Sequence, residues 1–287
     1  MSTQRTFVPV IDLFAGPGGL GEGFSALRTH GGRKCFELKL SIEKDTWAVR
    51  LMQPELALEL LRKKIEAYEA FQRKYPGYAG FLPWYGLRSA AVPRLSDKIP
   101  ALDIQPMGFW SGKIPGLDNG EWMWSMLAVE HVLRRQGHKQ LAQRYASYNL
   151  KLKANVVRVF FDPHRVACRG DVQISDMSTE RASYAAVNPG AVMTGEHGVH
   201  EGCMLIHYLT LFGEGLPTGA ADQIWANITM KRVETEFGTT WQGFWGSAHE
   251  SWAYLFLPFR DHPGYRQLHR LREKIRCNNA VKRSYPG

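Results

Sequence analysis

The sequence predicts a mainly α-helical fold that begins with a short βαβ-like segment. After Pro54, apolar residues recur at three- and four-residue spacing in the stretch ELALELLRKKIEAYEAFQRKY, which is the pattern of an amphipathic helix. Further helical patterns follow along the chain, whereas a strand, a Gly-rich turn, a helix and a second strand occupy only the first fifty residues. We therefore expect a Gly-rich βαβ start over residues 1–53 and a helical domain over residues 54–287.

The N-terminal elements are predicted from a short apolar run that leads into glycines. The run VPVIDLF at residues 8–14 is typical of a buried strand, and AGPGGLGEGF follows it as a turn. A helix is expected over residues 21–29 and a second strand over residues 35–42. Together these elements form the beginning of a βαβ fold.

The helical domain is predicted from apolar spacing and from the Gly- and Pro-rich breaks between helices. Pro54 suits the first turn of a helix, where its missing N–H costs nothing. Helices are expected over residues 54–75, 120–135, 139–158, 201–211, 220–230, 247–257 and 265–283. Gly77–Pro115 is expected to be a long loop region, and connections such as GTTWQGFWG are expected to carry function at one end of the helical array.

Composition and charge exclude several classes of protein. With 44% hydrophobic and 22% charged residues, the chain is globular rather than disordered. There is no apolar run of about eighteen residues and no signal peptide, so we expect a cytoplasmic protein without a membrane span. The cysteines form no CxxC pair, so neither a disulfide framework nor a structural metal is expected. The net charge of +9 permits nucleic-acid binding, but the basic residues are scattered as on a solvated surface.

The Gly-rich turn is a candidate nucleoside site. Glycines between a strand and a helix allow a ligand to approach the backbone closely, and the start of a helix offers free N–H groups. An acidic residue at the end of the next strand is placed to hydrogen-bond a ribose. The site would consist of Asp12, Phe14, Gly16, Gly18, Gly19 and Glu43. The alternative is a tight turn that holds no ligand.

The string DLFAGPGGLGEGF, with IEKD after the second strand, resembles the opening motif of cytosine-5 DNA methyltransferases. The resemblance covers residues 7–50 and implies S-adenosylmethionine as cofactor and DNA as partner. That family also needs a Pro-Cys nucleophile and a Glu-Asn-Val motif, and neither occurs in this sequence. Methyl transfer is not expected, because the covalent step requires the thiolate, and an S-adenosylmethionine-binding protein is kept as the alternative.

Acidic residues at loop–helix junctions are candidates for glycosidic hydrolysis. That reaction needs one carboxylic acid to protonate the leaving oxygen and one carboxylate to activate water or to attack. Asp118 and Glu121 lie in GLDNGEW at a predicted helix start, and Glu196 and Glu201 flank the string HGVH. The alternative for these residues is a structural one, in which they cap helices or complement the helix dipole.

Histidines and aromatic residues accompany these acids. His197, His200 and His249 are candidates to hydrogen-bond sugar hydroxyls, and the spacing of His200 and His207 does not match the HExxH metal motif. Candidates for stacking on sugar rings are Trp84, Tyr85, Trp110, Trp241 and Trp245. Trp122, at helical spacing, is expected in the core instead.

Residues 79–287 carry a second resemblance, which rests on an ordered set of segments. These are FLPWYGLRSA, IPGLDNGEWMWSMLAVEHVL, LAQRYASYNLKLKANVVRVFFDP, TGEHGVHEGCMLIHYLTLFGEGLP and FWGSAHESWAYLFLPFRD. Their order and character resemble the glucoamylase-like (α/α)6 barrels, and among these the β-1,2-glucanases. The resemblance implies a toroid of antiparallel helix pairs that binds an oligosaccharide or polysaccharide and hydrolyses a β-glucan without a cofactor.

The same resemblance implies roles for individual residues. Glu201 is the general acid, with Glu196 as the second choice. Asp118 binds substrate, and Arg260 and Asp261 line the cleft. Barrels of this family continue past the helix on which this sequence ends, and the following segment carries the acid expected to act as base. The resemblance therefore predicts an incomplete toroid, as in a gene fusion or a fragment, and leaves open an inactive carbohydrate-binding remnant.

Overall fold

The computed structural model describes residues 8–13, 36–42, 54–83, 85–89, 102–106, 111–186, 193, 202–241 and 253–283. The chain forms two compact units, one of Met1–Glu66 with Ser89–Leu102 and one of Ala67–Arg88 with Asp103–Gly287. The predicted division after residue 53 stays a prediction. Within the described ranges, no helix is both long and apolar enough to cross a membrane.

The first unit contains a parallel pair of strands, β1 (Val8–Leu13) and β2 (Phe36–Ile42). Their register shifts by one residue between Val10 and Ile11, which is a β-bulge. Both predicted strands are confirmed. Parallel neighbouring strands need a crossover connection, such as the helix of a βαβ unit. The helix predicted for this connection, over residues 21–29, lies outside the described residues.

Three long helices follow, α1 (Pro54–Lys74), α2 (Gly116–Arg135) and α3 (Lys139–Phe160). Three residues, Gln136–His138, connect α2 to α3, and Gly137 takes the left-handed φ of +83° that this tight turn requires. So short a connection makes α2 and α3 an antiparallel helix pair. The predicted helices in these three regions are confirmed.

The tryptophan predicted for the core lies in the second unit, where α2 and α3 meet the part of α1 that follows Glu66. The ring of Trp122 packs edge-on against Tyr68 at 5.3 Å and against Tyr148 at 5.7 Å between ring centroids. Edge-to-face contacts of this kind are favourable because the positive edge of one ring meets the negative face of another. The helical spacing therefore predicts correctly that Trp122 is a packing residue.

The later helices vary in length, and the last of them is as long as α2. They are α4 (Gly202–Phe212), α5 (Ala220–Ala226), α6 (Ala253–Phe256) and α7 (Pro263–Lys282), with a 3-10 turn at Pro258–Asp261. Helix α4 is apolar on nearly every side, and most of its residues from Gly202 to Leu209 are buried. A helix that is hydrophobic all round belongs in the interior of a domain.

Two helices end earlier than predicted. The helix predicted over residues 220–230 ends at Ala226 and is followed by its C-cap residue Asn227, whose side-chain amide donates to the main-chain carbonyls of Arg165 and Val166. Of the helix predicted over residues 247–257, the described part is Ala253–Phe256, and Pro258 prevents its continuation.

Helix α2 begins four residues earlier than predicted, at Gly116 instead of Gly120. Asn119 and Gly120 are poor helix formers, which is why the sequence places the helix start after them. The side chain of Asn119 nevertheless donates to the carbonyl of Pro115 at 2.7 Å, and Gly120 is required by a close helix contact. Asp118 therefore lies inside the first turn of α2 rather than before it.

Short strands occupy the segments predicted as loops and connections. They are β3 (Tyr85–Ser89), β4 (Leu102–Pro106), β5 (Lys113–Pro115), β6 (Phe161–Asp162), β7 (Ala167–Cys168), β8 (Asp171–Ile174), β9 (Tyr184–Ala186), β10 (Arg232–Thr235) and β11 (Gly238–Trp241). Strands β5, β8 and β9 form an antiparallel sheet, and β10 and β11 form a hairpin. Strands of two to five residues are too short to show a period-2 pattern in sequence.

Three buried side chains hold the main chain of residues 80–82. Asn119 accepts from the N–H of Leu82 at 2.9 Å and donates to its carbonyl at 2.8 Å. Gln72 accepts from the N–H of Gly80 at 2.8 Å, and the Tyr148 hydroxyl donates to the Gly80 carbonyl at 2.7 Å. These bonds satisfy buried main-chain groups that lie outside regular secondary structure, so the segment is fixed to α1, α2 and α3.

Candidate functional site

The first turns of α2 and α4 lie in direct contact. A Cβ added to Gly120 would lie 2.7 Å from the main-chain nitrogen of Leu205 and 3.0 Å from its Cα. A Cβ added to Gly116 would lie 2.6 Å from the carbonyl oxygen of Gly170. Glycine is the residue that permits so close an approach between backbones. The two helix starts on which the sequence predicts acidic residues are therefore neighbours.

Two predicted substrate-binding acids project from the start of α2. Asp118 is exposed, and Glu121, one turn further along, is half-buried. Both side chains take part in polar or electrostatic interactions. Residues three apart lie on the same side of a helix, so the two carboxylates share one side of the first turns of α2.

Glu121 and Arg272 both affect the pKa of the Cys203 thiol, which lies in the first turn of α4. Burial raises the pKa of Cys203 to about 12, the Arg272 guanidinium opposes this shift, and the Glu121 carboxylate adds to it. The thiol therefore stays protonated at neutral pH and does not act as a nucleophile.

Most of the predicted site residues are not among those that the structure describes. Outside the described residues lie Glu196, Glu201, His197, His200, His249, Trp84, Trp110 and Trp245. The main chain of Tyr85 lies in β3 and that of Arg260 in the 3-10 turn, where Asp261 is exposed. The predicted grouping of Glu201 with Asp118 stays a prediction.

The predicted nucleoside site is likewise mostly outside the described residues. The main chain of Asp12 belongs to β1, and Phe14, Gly16, Gly18, Gly19 and Glu43 are not described.

A cavity of about 680 Å³ opens beside the first turns of α4. Cys203 and His207, one helical turn apart on α4, form part of its wall. We refer to it as the aromatic cavity, because four aromatic side chains from other elements line it alongside polar and aliphatic residues. They are Trp225 of α5, Trp241 of β11, Phe259 of the 3-10 turn and Tyr265 of α7.

The rings of the aromatic cavity pack against one another. His207 lies between Trp225, at 4.6 Å between ring centroids, and Phe259, at 5.6 Å. Phe259 in turn stacks on Tyr265 at 4.4 Å with only 7° between the ring planes. Trp241 lies beneath the guanidinium of Arg232 at 5.6 Å, as in a cation–π contact. Each ring is therefore supported by a neighbour.

Burial among these rings lowers the pKa of His207 from 6.5 to about 4. A charged imidazolium loses hydration in an apolar surrounding, so the neutral form is favoured. At pH values above about 5 the imidazole is neutral, with one ring nitrogen as a hydrogen-bond donor and the other as an acceptor.

The lowered pKa of His207 predicts a loss of stability in acid. Between pH 6.5 and pH 4 the unfolded chain binds a proton at this residue and the folded chain does not, so the free energy of unfolding falls as the pH falls. From pH 8 to pH 5 we expect a loss of about 2 kcal/mol from this group. Urea unfolding of the native chain and of His207→Phe at both pH values measures it. An equal pH dependence in the two proteins would contradict the assignment.

Sequence reasoning identifies only part of the aromatic cavity. It predicts a stacking role for Trp241, but it gives no reason to single out Trp225, Phe259 or Tyr265. Phe259 precedes Arg260, a predicted cleft residue, and this was the one available signal. The others belong to elements far apart in the sequence, so their meeting depends on tertiary packing.

The sequence matches one family model over most of its length. Residues 39–287 match the family described as endo-beta-1,2-glucanase SGL. No curated protein matches the chain. Nothing in these comparisons supports the methyltransferase alternative.

Two solved structures are similar to the chain. The endo-beta-1,2-glucanase from Talaromyces funiculosus in complex with sophorose is 24% identical with a TM-score of 0.67, and the match covers 80% of this chain and 46% of that chain. A mutant of that enzyme in complex with beta-1,2-glucan is 23% identical with a TM-score of 0.67, over 83% of this chain and 47% of that chain. This chain spans about half the length of those glucanase chains. The likeness confirms the predicted mainly α fold of (α/α)6 type.

Proposed function

Because its residues 39–287 match the family model, the chain belongs to the endo-beta-1,2-glucanase SGL family, and we propose that it binds β-1,2-glucan and hydrolyses its glycosidic bonds. The family match is the observation that carries this proposal. The two similar structures support the choice of linkage, since the Talaromyces funiculosus enzyme was solved with sophorose and its mutant with beta-1,2-glucan.

We place the acids of the reaction at the neighbouring starts of α2 and α4. Glu201 directly precedes Gly202, the first residue of α4, and is our choice for the general acid, with Glu196 as the second choice. Asp118 and Glu121 on α2 are proposed to hydrogen-bond sugar hydroxyls. The contact of Gly120 with Leu205 supports this arrangement, because it brings the two helix starts together.

The chemistry proposed is acid–base hydrolysis by side chains alone. One carboxylic acid protonates the oxygen that leaves, while a second carboxylate activates water or attacks the sugar. The buried thiol of Cys203 takes no part, because its raised pKa keeps it protonated. No cofactor is required for these steps.

Incubation of the purified chain with linear β-1,2-glucan tests the proposal. We expect new reducing ends and a series of short oligosaccharides that includes sophorose, and no products from β-1,3- or β-1,4-glucan. Calorimetry on the same samples measures binding separately from turnover. Heat with S-adenosylmethionine but not with any glucan would overturn the proposal, and binding of β-1,2-glucan without cleavage would reduce the function to carbohydrate binding.

A further inference from the structure

We infer that the aromatic cavity is a binding site for glucosyl units of the glucan, adjoining the acids at the start of α4. This inference rests on the proposed function and adds the place where the substrate is held. The size of the aromatic cavity fits that role, because its volume of about 680 Å³ lies within the roughly 300–1,000 Å³ that is usual for small-molecule sites.

The aromatic rings provide the flat surfaces that a pyranose needs. The C–H groups on the face of a glucose ring are apolar and carry a small positive charge, so they pack on the negative face of an aromatic ring. Tyr265 is 42% exposed while its ring is stacked on Phe259, so it is supported by that neighbour and still open to a ligand. Trp225 and Trp241 add two indole rings to the wall.

Polar groups among the rings distinguish this cavity from a purely apolar groove. Three polar side chains, His207, Thr239 and Gln267, line it together with the aromatic residues and with the aliphatic residues Ile228, Met230, Leu268 and Leu271. A neutral imidazole both donates and accepts a hydrogen bond, as does a hydroxyl, and an amide side chain does the same. A sugar presents apolar faces and a rim of hydroxyls that donate and accept, so a wall that combines apolar side chains with neutral polar groups matches it.

The position of the cavity ties it to the proposed reaction. Cys203 belongs both to the cavity wall and to the first turn of α4, where the Glu121 carboxylate acts on its thiol. Glu201 precedes this turn in the chain by one residue. Glucosyl units in the aromatic cavity would therefore lie beside the first turn of α4, the helix that Glu201 precedes in the chain.

The substitution Trp241→Ala tests the inference. Trp241 lies in a mostly exposed hairpin, so we expect the fold to tolerate the loss of its ring. We expect the KM for β-1,2-glucan and the dissociation constant for its oligosaccharides to rise by about tenfold, with kcat little changed, since the ring binds substrate without touching the reacting bond. Phe237→Ala is the matched control: Phe237 lies in the same hairpin, is 40% exposed and does not line the cavity.

A second variant keeps the test decisive if Trp241→Ala disturbs the hairpin. His207→Phe preserves an aromatic ring and removes both ring nitrogens, and we expect oligosaccharide binding to weaken by roughly fivefold. Wild-type binding affinities in Trp241→Ala and His207→Phe, with cleavage by the native chain intact, would overturn the inference and leave the proposed function standing. A native chain that neither binds nor cleaves β-1,2-glucan would overturn the proposed function itself.

Discussion

Replacing Glu201 with Gln is expected to lower the hydrolysis of β-1,2-glucan by about 10²–10⁴-fold, the usual contribution of a general acid. Glutamine has nearly the shape of glutamate but cannot protonate the departing oxygen, so the chemical step fails while the substrate still binds. Release of reducing ends measures the rate, and calorimetry with β-1,2-glucan oligosaccharides measures the unchanged affinity. Of the changes proposed for this chain, this one is expected to have the largest effect on activity.

The control for Glu201→Gln is Glu214→Gln, which makes the same chemical change at an exposed residue beyond the other end of α4. It should leave kcat within about twofold of the native value, since surface substitutions away from a site change little. Unchanged turnover in Glu201→Gln, together with loss of activity in Glu196→Gln, would transfer the role of general acid to Glu196.

Replacing Gly120 with Ala is expected to destabilise the fold by about 3 kcal/mol, toward the upper end of the cost of overpacking. The new methyl group would lie 2.7 Å from the main-chain nitrogen of Leu205, and main chain inside two packed helices cannot move aside cheaply. The usual gain of about 1 kcal/mol from Gly to Ala in a helix is too small to offset this clash. Chemical denaturation of the two proteins gives the difference.

Gly264→Ala is the matched control for Gly120→Ala. Gly264 is also in a helix but is exposed, and its nearest neighbour would be the exposed side chain of His262 at 3.3 Å rather than main chain. We expect the free energy of unfolding to stay within about 0.5 kcal/mol of the native value or to rise. Equal stability of Gly120→Ala and the native chain would show that α2 and α4 do not approach as closely as described.

The long helices could be predicted because each shows its buried side in sequence. In α3, buried residues such as Tyr145, Leu152 and Val156 recur at the spacing of a helix, and α1 does the same after Pro54. The start of α2 could not, because Asn119 and Gly120 read as a helix boundary. Their reasons for lying in a helix, a hydrogen-bonding partner and a close neighbour, come from residues that are remote in the chain.

The sequence predicted which kinds of side chain the candidate site contains better than it predicted which residues come together there. Acidic residues near helix starts are visible in sequence, and the meeting of α2 with α4 agrees with the proposal that two such starts cooperate. The aromatic cavity is different, because nothing in the sequence groups His207 of α4 with Trp225 of α5. A lone histidine on an apolar helix is indistinguishable in sequence from a packing residue until its ring neighbours are known.

The hydrogen bonds that hold residues 80–82 have a consequence for the affinity of the proposed site. Asn119, Gln72 and Tyr148 fix this main chain from within the protein, without any contribution from a sugar. Association with a ligand normally costs free energy for every loop that must be ordered, and preorganisation removes that cost. The segment that follows Leu82 is therefore attached to a fixed main chain before any ligand is bound. Any contribution of that segment to recognition does not have to include the cost of ordering residues 80–82.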